Sequence, residues 1–262
     1  MRTLLKSCLL RYLPERLLIP LKMRHYAHAL ASFSGADEAD AKVVGHIVGS
    51  GDHAVDIGAN IGWYTKILSG LVGSRGKVFS FEPVPQTFAL LAHCVCKLSL
   101  DNVEIFNCGL SESAGRALME VPADDHGNSN FYRSRIVTNA AGPSRHYNVS
   151  LRTLDSFFAG GGKTVKFIKC DVEGHELAVL KGALAVIEKS KPAWLIEVSG
   201  DPGEKESNGR KLFDLMGSKG YAAYWFDGEV LRKHSGKGHS VNYFFLLPDH
   251  IAGMKKKGLT VC

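Results

Sequence analysis

The stretch from Asp52 to Gly62, Asp-His-Ala-Val-Asp-Ile-Gly-Ala-Asn-Ile-Gly, decides the fold that we expect for this chain. It begins as a short apolar run ending on Asp56, passes through a turn with two glycines, and leads into a helical pattern that begins near Ile61. Gly58 and Gly62 lack side chains where the backbone must turn sharply and approach a ligand closely. Free N–H groups at the start of the helix point toward the loop, so the stretch predicts a nucleotide-binding strand, loop and helix.

The glycine spacing differs from the dinucleotide fingerprint. That fingerprint would need glycine at positions 58, 60 and 63, and this chain has Asn60 and Trp63 at the last two. A second strand, residues 77–81, then ends on Glu82. A carboxylate at the tip of the next parallel strand is placed to accept hydrogen bonds from ribose hydroxyls. The two strand ends therefore predict an adenosine-containing ligand and weaken the case for hydride transfer.

Five blocks of the chain, in order, resemble the FkbM family of S-adenosylmethionine-dependent methyltransferases. They are Asp-Ile-Gly-Ala-Asn-Ile-Gly-Trp-Tyr-Thr (56–65), Phe-Glu-Pro (81–83), Thr-Leu-Asp (153–155), Phe-Ile-Lys-Cys-Asp-Val-Glu-Gly-His-Glu (167–176) and Ile-Glu-Val (196–198). The resemblance covers roughly residues 43–248, and five ordered blocks are more specific than one glycine loop. It implies an α/β, Rossmann-like class I methyltransferase fold. The expected sheet has seven mostly parallel strands with an antiparallel last strand, and helices on both faces.

The resemblance also implies the cofactor, S-adenosyl-L-methionine, and methyl transfer to a hydroxyl of a sugar, glycolipid or polyketide-type acceptor. The predicted cofactor-binding residues are Asp56, Gly58, Asn60, Gly62, Glu82, Asn107 and Asp171. Asn107 follows the third strand, where the family's adenine wall would lie, and an amide there can hydrogen-bond a base edge. Asparagine is also common at strand ends, so the structural interpretation of Asn107 stays open.

Three candidate catalytic residues, Asp171, Glu173 and His175, follow the predicted fourth strand, residues 165–170. Methyl transfer to oxygen needs aligned reactants and a base that removes the hydroxyl proton. His175 is the first candidate base, because the start of a helix disfavours its protonated form; a helix-start histidine bonded to the backbone is the alternative. Asp171 is expected to hold the cofactor's ammonium group or to orient His175. No metal is predicted, although Asp171 and Glu197 form an alternative site for a divalent cation.

The chain divides into a predicted N-terminal helical cap (1–42), a methyltransferase domain (43–250) and a basic C-terminal tail (251–262). Residues 111–150 break the alternation of strands and helices, and we expect them to form an insertion near the substrate cleft. The alternative is an ordinary edge hairpin in which His126 and the neighbouring arginines are merely solvated.

Residues 1–30 are basic and amphipathic, which allows peripheral membrane contact, but Pro14 and Pro20 divide this stretch and favour a cap. The net charge of +6 is spread along the chain, so we read it as solubility charge and expect no nucleic-acid partner. Six scattered cysteines indicate neither a zinc site nor a disulfide framework. We find neither a transmembrane span nor a secretory signal, and a cytoplasmic location is expected.

The expected acceptor is a small molecule or glycan, and two other function classes compete with it. A nucleic-acid or protein methyltransferase is one, although base methyltransferases carry an Asn/Asp-Pro-Pro-aromatic loop after the fourth strand where this chain has Asp-Val-Glu-Gly (171–174). The other is a protein that binds S-adenosylmethionine without catalysis. The sequence leaves the oligomeric state open.

Overall fold

The computed structural model describes residues 15–35, 38–122, 131–140, 144–158, 163–236 and 241–262, which are built around one large sheet. Within those ranges the strands are β1 (His53–Ile57), β2 (Lys77–Phe81), β3 (Val103–Phe106), β4 (Gly109–Leu110), β5 (Gly115–Val121), β6 (Arg135–Val137), β7 (Arg145–Arg152), β8 (Val165–Cys170), β9 (Ala193–Glu197), β10 (Ala222–Phe226), β11 (Leu231–Lys233) and β12 (Asn242–Leu246). The helices are α1 (Glu15–Ser32), α2 (Ala39–Ile47), α3 (Trp63–Val72), α4 (Pro85–Lys97), α5 (Leu154–Phe158), α6 (Glu176–Lys181), α7 (Leu184–Ser190), α8 (Asn208–Ser218) and α9 (Pro248–Lys256).

The main sheet has the strand order β11-β10-β12-β9-β8-β1-β2-β3. The pairs from β9 to β3 are parallel, and β12 runs antiparallel to both β9 and β10. The predicted Rossmann-like fold, with its antiparallel last strand, is confirmed. The sheet has eight strands, one more than the seven expected, because the short strand β11 pairs with β10.

Helices cover both faces of this sheet, as expected. Alternate residues of the central strand β8 point to opposite faces, so Phe167 packs with α2, α3 and α9 while Ile168 packs with α6, α7 and α8. The near-continuous burial of β1, β8 and β9 follows from this double cover. Their carboxyl ends meet at one edge of the sheet, where the polar residues of the sequence blocks collect.

The predicted insertion contains a second sheet with the order β4-β7-β5-β6. Its own apolar cluster joins Met119, Val121 and Val149 to Val84, which follows β2. The second sheet therefore lies beside the carboxyl end of β2. The expected hairpin is present as the β5–β6 pair, and residues 123–130, which include His126, fall outside the described ranges.

The N-terminal segment differs from the prediction in two ways. Helix α1 continues through Pro20, which costs the helix one backbone hydrogen bond without ending it. Helix α2 crosses the predicted boundary at residues 42 and 43 and buries Val43, Val44 and Ile47 in the core, so the cap and the domain are continuous. Helix α1 packs against α4. Residues 1–14 lie outside the described ranges, and membrane contact through residues 1–30 stays a prediction.

Residues 251–262 do not form a separate basic tail. Helix α9 contains the first part of this segment, Met254 and Leu259 are buried in the main core, and Val261 bridges to Leu231 of β11. The apolar positions between the lysines explain the difference, because they pack on the sheet while the lysines face solvent.

Two helix boundaries also differ. Helix α3 begins at Trp63 rather than near Ile61, because Gly62 adopts a left-handed conformation. The segment after the loop that carries Glu173 forms two helices, α6 and α7, where an unbroken helical pattern predicts one from Glu176 to Lys189. Gly182 lies between them, and a Cβ there would come within 2.0 Å of the carbonyl oxygen of Ser111. No helix within the described ranges has the length and apolar character to cross a bilayer.

Candidate active site

The loop after β1 is shaped by three residues with positive φ, namely Gly58 (+78°), Asn60 (+50°) and Gly62 (+104°). A Cβ on Gly58 would lie 1.8 Å from the carbonyl oxygen of Asp171, so Gly58 lets the ends of β1 and β8 approach each other. A Cβ on Gly62 would lie 2.9 Å from a methyl group of Leu91. Gly58 is therefore required by the close approach of two backbone segments, and Gly62 mainly by its left-handed φ.

Asp56 is buried at the end of β1, with 1% of its surface exposed. Its Oδ2 accepts a hydrogen bond from the Thr65 hydroxyl at 2.6 Å, and that hydroxyl also lies 2.9 Å from Ser80 Oγ. Its Oδ1 has no hydrogen-bond partner among the described residues. Burial raises the pKa of Asp56, and the ammonium group of Lys169 opposes that rise.

Glu82 follows β2 and is also buried. Its carboxylate accepts hydrogen bonds from the backbone N–H groups of Asn60 at 3.0 Å and of Val84 at 2.9 Å. Burial raises the pKa of Glu82 to about 7, against the opposing effect of those two hydrogen bonds. The β1 loop and the end of β2 are thus joined through one carboxylate.

One cavity of about 320 Å³ opens at the carboxyl ends of β1, β2, β8 and β9. Of the predicted site residues it brings together Asp56, Gly58, Asn60, Glu82, Asp171 and Glu173. The Oδ1 atom of Asn60 is buried there without a hydrogen-bond partner in the described part of the chain. An unpaired buried acceptor beside a cavity is a group that a ligand can satisfy.

Asp171, Glu173 and Glu197 form a carboxylate cluster in this cavity, with one oxygen of each within 4.8 Å of the others. Burial, and then the charge of Asp171, raise the pKa of Glu197 to about 7; the same two causes raise the pKa of Glu173. Glu173 has a positive φ of +50°, which fixes its direction at the start of the loop. The spacing of the three carboxylates suits either a shared proton or a cation.

Lys169 of β8 is a residue of this site that the sequence did not single out. Only 8% of it is exposed, its Nζ lies 2.6 Å from Asp171 Oδ2, and it sits 5.0 Å from the centroid of the Tyr64 ring. Burial lowers the pKa of Lys169, but Asp171 and Asp56 outweigh burial and raise it overall. The sequence signal that could have identified it is a lysine in a central strand that is apolar apart from Lys166 and Lys169.

His175 lies apart from the main cavity. It immediately precedes α6, its Nε2 lies 2.9 Å from Ser111 Oγ, and it lines a second, largely apolar cavity of about 30 Å³. The pKa of His175 is lowered as expected, but the main cause is burial rather than the dipole of this six-residue helix. The structure therefore does not bring His175 together with Asp171 and Glu173, and its ring ties α6 to the insertion.

Asn107 also differs from its predicted role. Its amide donates hydrogen bonds to the carbonyl oxygens of Glu82 at 2.9 Å and Pro83 at 3.1 Å. Asn107 lines neither cavity, and its neighbours Cys108 to Leu110 line the second one. The side chain thus supports the loop after β2.

Two acidic residues of the sequence blocks support the site from outside. Asp155 accepts the N–H groups of Ala185 at 3.0 Å and Val186 at 2.9 Å, and so caps α7. Buried Glu176 accepts the N–H group of Gly174 at 2.8 Å and holds the loop that carries Glu173. Neither residue lines the main cavity.

The doubly wound sheet has helices on both faces and acidic strand ends around one cavity, which is a Rossmann-like nucleotide-binding architecture of the kind that class I methyltransferases have. The family model described as "Methyltransferase FkbM domain" matches residues 56–223, which is more than half of the chain. The chain belongs to the FkbM methyltransferase family, and its cofactor is S-adenosylmethionine.

Relatives and solved structures with similar chains are also methyltransferases. The chain is 32% identical over 131 residues to the hexuronic acid methyltransferase AglP of Haloferax volcanii, covering 48% of each protein. It is 28% identical over 143 residues to Methyltransferase 1 of Beauveria bassiana, covering 49% of this chain and 57% of that one. The match thus spans about half the length of these relatives. The crystal structure of methyltransferase FkbM from Methylobacillus flagellatus aligns with a TM-score of 0.47 and 20% identity, covering 74% of this chain and 43% of that one.

Proposed function

We propose that the protein is an O-methyltransferase that transfers a methyl group from S-adenosylmethionine to a hydroxyl of a sugar, glycolipid or polyketide-type acceptor. The observation that carries the proposal is the single cavity in which the β1 loop, Glu82 and the carboxylates after β8 and β9 meet. The relative named hexuronic acid methyltransferase supports a sugar-like acceptor.

The residues of the cavity fit the cofactor. Glu82 is placed to accept hydrogen bonds from ribose hydroxyls, and the unpaired Oδ1 of Asn60 and the main chain of Gly58 are placed for the amino-acid portion. Asp171 is placed for the ammonium group. When bound, the cofactor supplies an electrophilic methyl group on a sulfonium. The adenine wall was expected at residues 107–110, and we propose that the adenine lies toward Cys108 to Leu110, which line the second cavity.

The proton that leaves the acceptor's hydroxyl is taken up by the carboxylate cluster. Glu197 lines the cavity and has a pKa of about 7, which is near the value that general-base catalysis favours at neutral pH. Asp171 and Glu173 lie within the same cluster and orient the proton acceptor. His175 has its Nε2 committed to Ser111, so we assign it a positioning role in place of the base role expected from the sequence.

The test is incubation of the purified protein with S-adenosylmethionine labelled in its methyl group, against extracts of glycans, lipid-linked sugars and macrolides. We expect label in an ether linkage on a sugar or polyketide hydroxyl, and Glu197→Gln should lower the rate by about 10²–10⁴-fold without loss of cofactor binding. Label found only in nucleic acid or protein would overturn the acceptor class. Cofactor binding without transfer to any fraction would favour the non-catalytic alternative.

A further inference from the structure

The ammonium group of Lys169 interacts electrostatically with several carboxylates, in addition to its ion pair with Asp171. It contacts Asp171 directly at 2.6 Å, and strand register places it opposite Asp56, whose Oδ1 has no hydrogen-bond partner in the described ranges. Its charge also lowers the pKa of Asp40, Glu173 and Glu197 relative to what burial alone would give. One buried cation thus interacts electrostatically with five carboxylates, those of Asp40, Asp56, Asp171, Glu173 and Glu197.

The position of this ammonium bears on the carboxylate cluster of Asp171, Glu173 and Glu197. A divalent cation bound by that cluster would share Asp171 with the ammonium group, because Nζ already holds Oδ2. At a given distance in a partly buried site, the Lys169 ammonium repels a divalent cation about twice as strongly as it repels a singly charged group such as the cofactor's ammonium. Lys169 is also held from moving away, since the Tyr64 ring covers it and only 8% of the residue is exposed.

We propose that Lys169 is the resident cation of the carboxylate cluster, so that its ammonium group takes the place of a divalent metal and makes methyl transfer independent of one. Lys169 is a positioning residue in this scheme. It stays protonated and pairs with Asp171 beside Glu197, which leaves Glu197 to exchange the acceptor's proton. The prediction that methyl transfer needs no metal rests on the proposed function. The exclusion of a divalent cation from the cluster is a property of the protein alone and can be measured without an acceptor.

The test is a titration with Mn²⁺ in which the electron paramagnetic resonance signal of the free ion reports binding. The variant Lys169→Met removes the charge and keeps an unbranched side chain, and Lys169→Arg keeps the charge. The matched control is Lys166→Met, since Lys166 lies on the same strand but is exposed. If Lys169→Met fails to fold, the double variant Asp56→Asn with Lys169→Met takes its place. Asp56→Asn removes the buried charge that Lys169 neutralised, and the double variant keeps all three carboxylates of the cluster.

We expect no saturable Mn²⁺ site in the wild type, in Lys166→Met or in Lys169→Arg. Lys169→Met, or the double variant, should gain one site that binds at least roughly tenfold tighter than any wild-type binding. Micromolar Mn²⁺ binding by the wild type overturns the proposal, and so does a folded Lys169→Met or double variant that gains no site. These outcomes do not depend on methyl transfer, so a failure of the proposed function is detected separately by the labelled-cofactor assay. With an accepted substrate, a chelator should leave the wild-type rate unchanged.

Discussion

The Thr65 hydroxyl donates a hydrogen bond to the buried carboxylate of Asp56 at the end of β1, and the contribution of this bond to stability can be tested by a single substitution. Thr65→Val removes the side-chain hydrogen bond to the buried carboxylate of Asp56, so we expect the free energy of unfolding to fall by about 1–3 kcal/mol. Thr87→Val is the control, because Thr87 is equally buried in α4 and its hydroxyl has no partner in the described ranges. Denaturant unfolding should show little or no loss for Thr87→Val. Equal losses in both variants would contradict the role of Thr65.

The raised pKa of Glu82 should make cofactor binding depend on pH. Its pKa in the folded protein is about 7, above the ordinary value of 4.5, so ionising it costs stability as pH rises through that window. Binding of ribose hydroxyls favours the ionised carboxylate. We therefore expect calorimetry to show affinity for S-adenosylhomocysteine rising roughly threefold to tenfold between pH 6 and pH 8. Glu82→Gln should flatten this dependence; an unchanged slope in that variant would assign the effect to another group.

At this scale the sequence predicted the residues whose position follows from strand ends. Asp56, Asn60 and Glu82 line the cavity because each ends or follows a parallel strand. Lys169 was not predicted, because a lysine in a strand reveals its partners only when the register of β1 against β8 is known. The local partners of Asn107 could not be read either, since they are backbone carbonyls of a different strand end.

Between elements, the contact of His175 with Ser111 connects α6 to the insertion that contains the second sheet. If this contact positions the insertion, His175→Ala and Ser111→Ala should behave alike and weaken binding of S-adenosylhomocysteine by a few-fold, with similar losses of thermal stability. Calorimetry and thermal unfolding of the two variants provide the comparison. A large loss of turnover in His175→Ala alone, with cofactor affinity intact, would restore the base role that the sequence suggested.

Element boundaries followed from sequence where the causes are local. The glycine turn after β1 predicted a helix start near Ile61, and α3 begins two residues later at Trp63. The division into α6 and α7 was not readable, because it comes from the approach of Gly182 to the backbone of Ser111. The second sheet was also not readable in detail, since β4 and β7 pair across a long separation in sequence.

Over the whole molecule, charge is distributed unevenly, and this affects which acceptors suit the cavity. The chain carries a net charge of +6, yet six carboxylates and one lysine line the main cavity. If the proposed function holds, a neutral methyl glucoside should be methylated at least roughly tenfold faster than the matching glucuronide, because a like charge opposes its entry. This would distinguish the chain from its relative AglP, which is named for a hexuronic acid.

The matched variant for this comparison is Glu38→Gln. Glu38 lines the cavity and precedes α2 without a side-chain capping bond, so the change removes charge at little structural cost. The preference for the neutral sugar should narrow in Glu38→Gln and at high salt. A wild-type preference for the glucuronide would contradict the electrostatic argument while leaving hydroxyl methylation intact.

The overall fold was predictable because four of the five ordered blocks lie at strand ends of the main sheet, those of β1, β2, β8 and β9, whereas the block at 153–155 follows β7 of the second sheet. The eighth strand, β11, and the packing of the C-terminal segment depend on pairings between distant residues, such as Leu231 with Val261. The cavity itself follows from the same rule as the fold, since parallel strands deliver their carboxyl ends to one edge.

The central claim is that the adenosine of the cofactor lies across the ends of β1 and β2. A crystal structure of the complex with S-adenosylhomocysteine tests it most directly. We expect ribose hydroxyls within about 3 Å of the Glu82 carboxylate and the amino-acid portion against Gly58 and Asn60. Density for the ligand in another place, with Glu82 bonded only to the N–H groups of Asn60 and Val84, would contradict it.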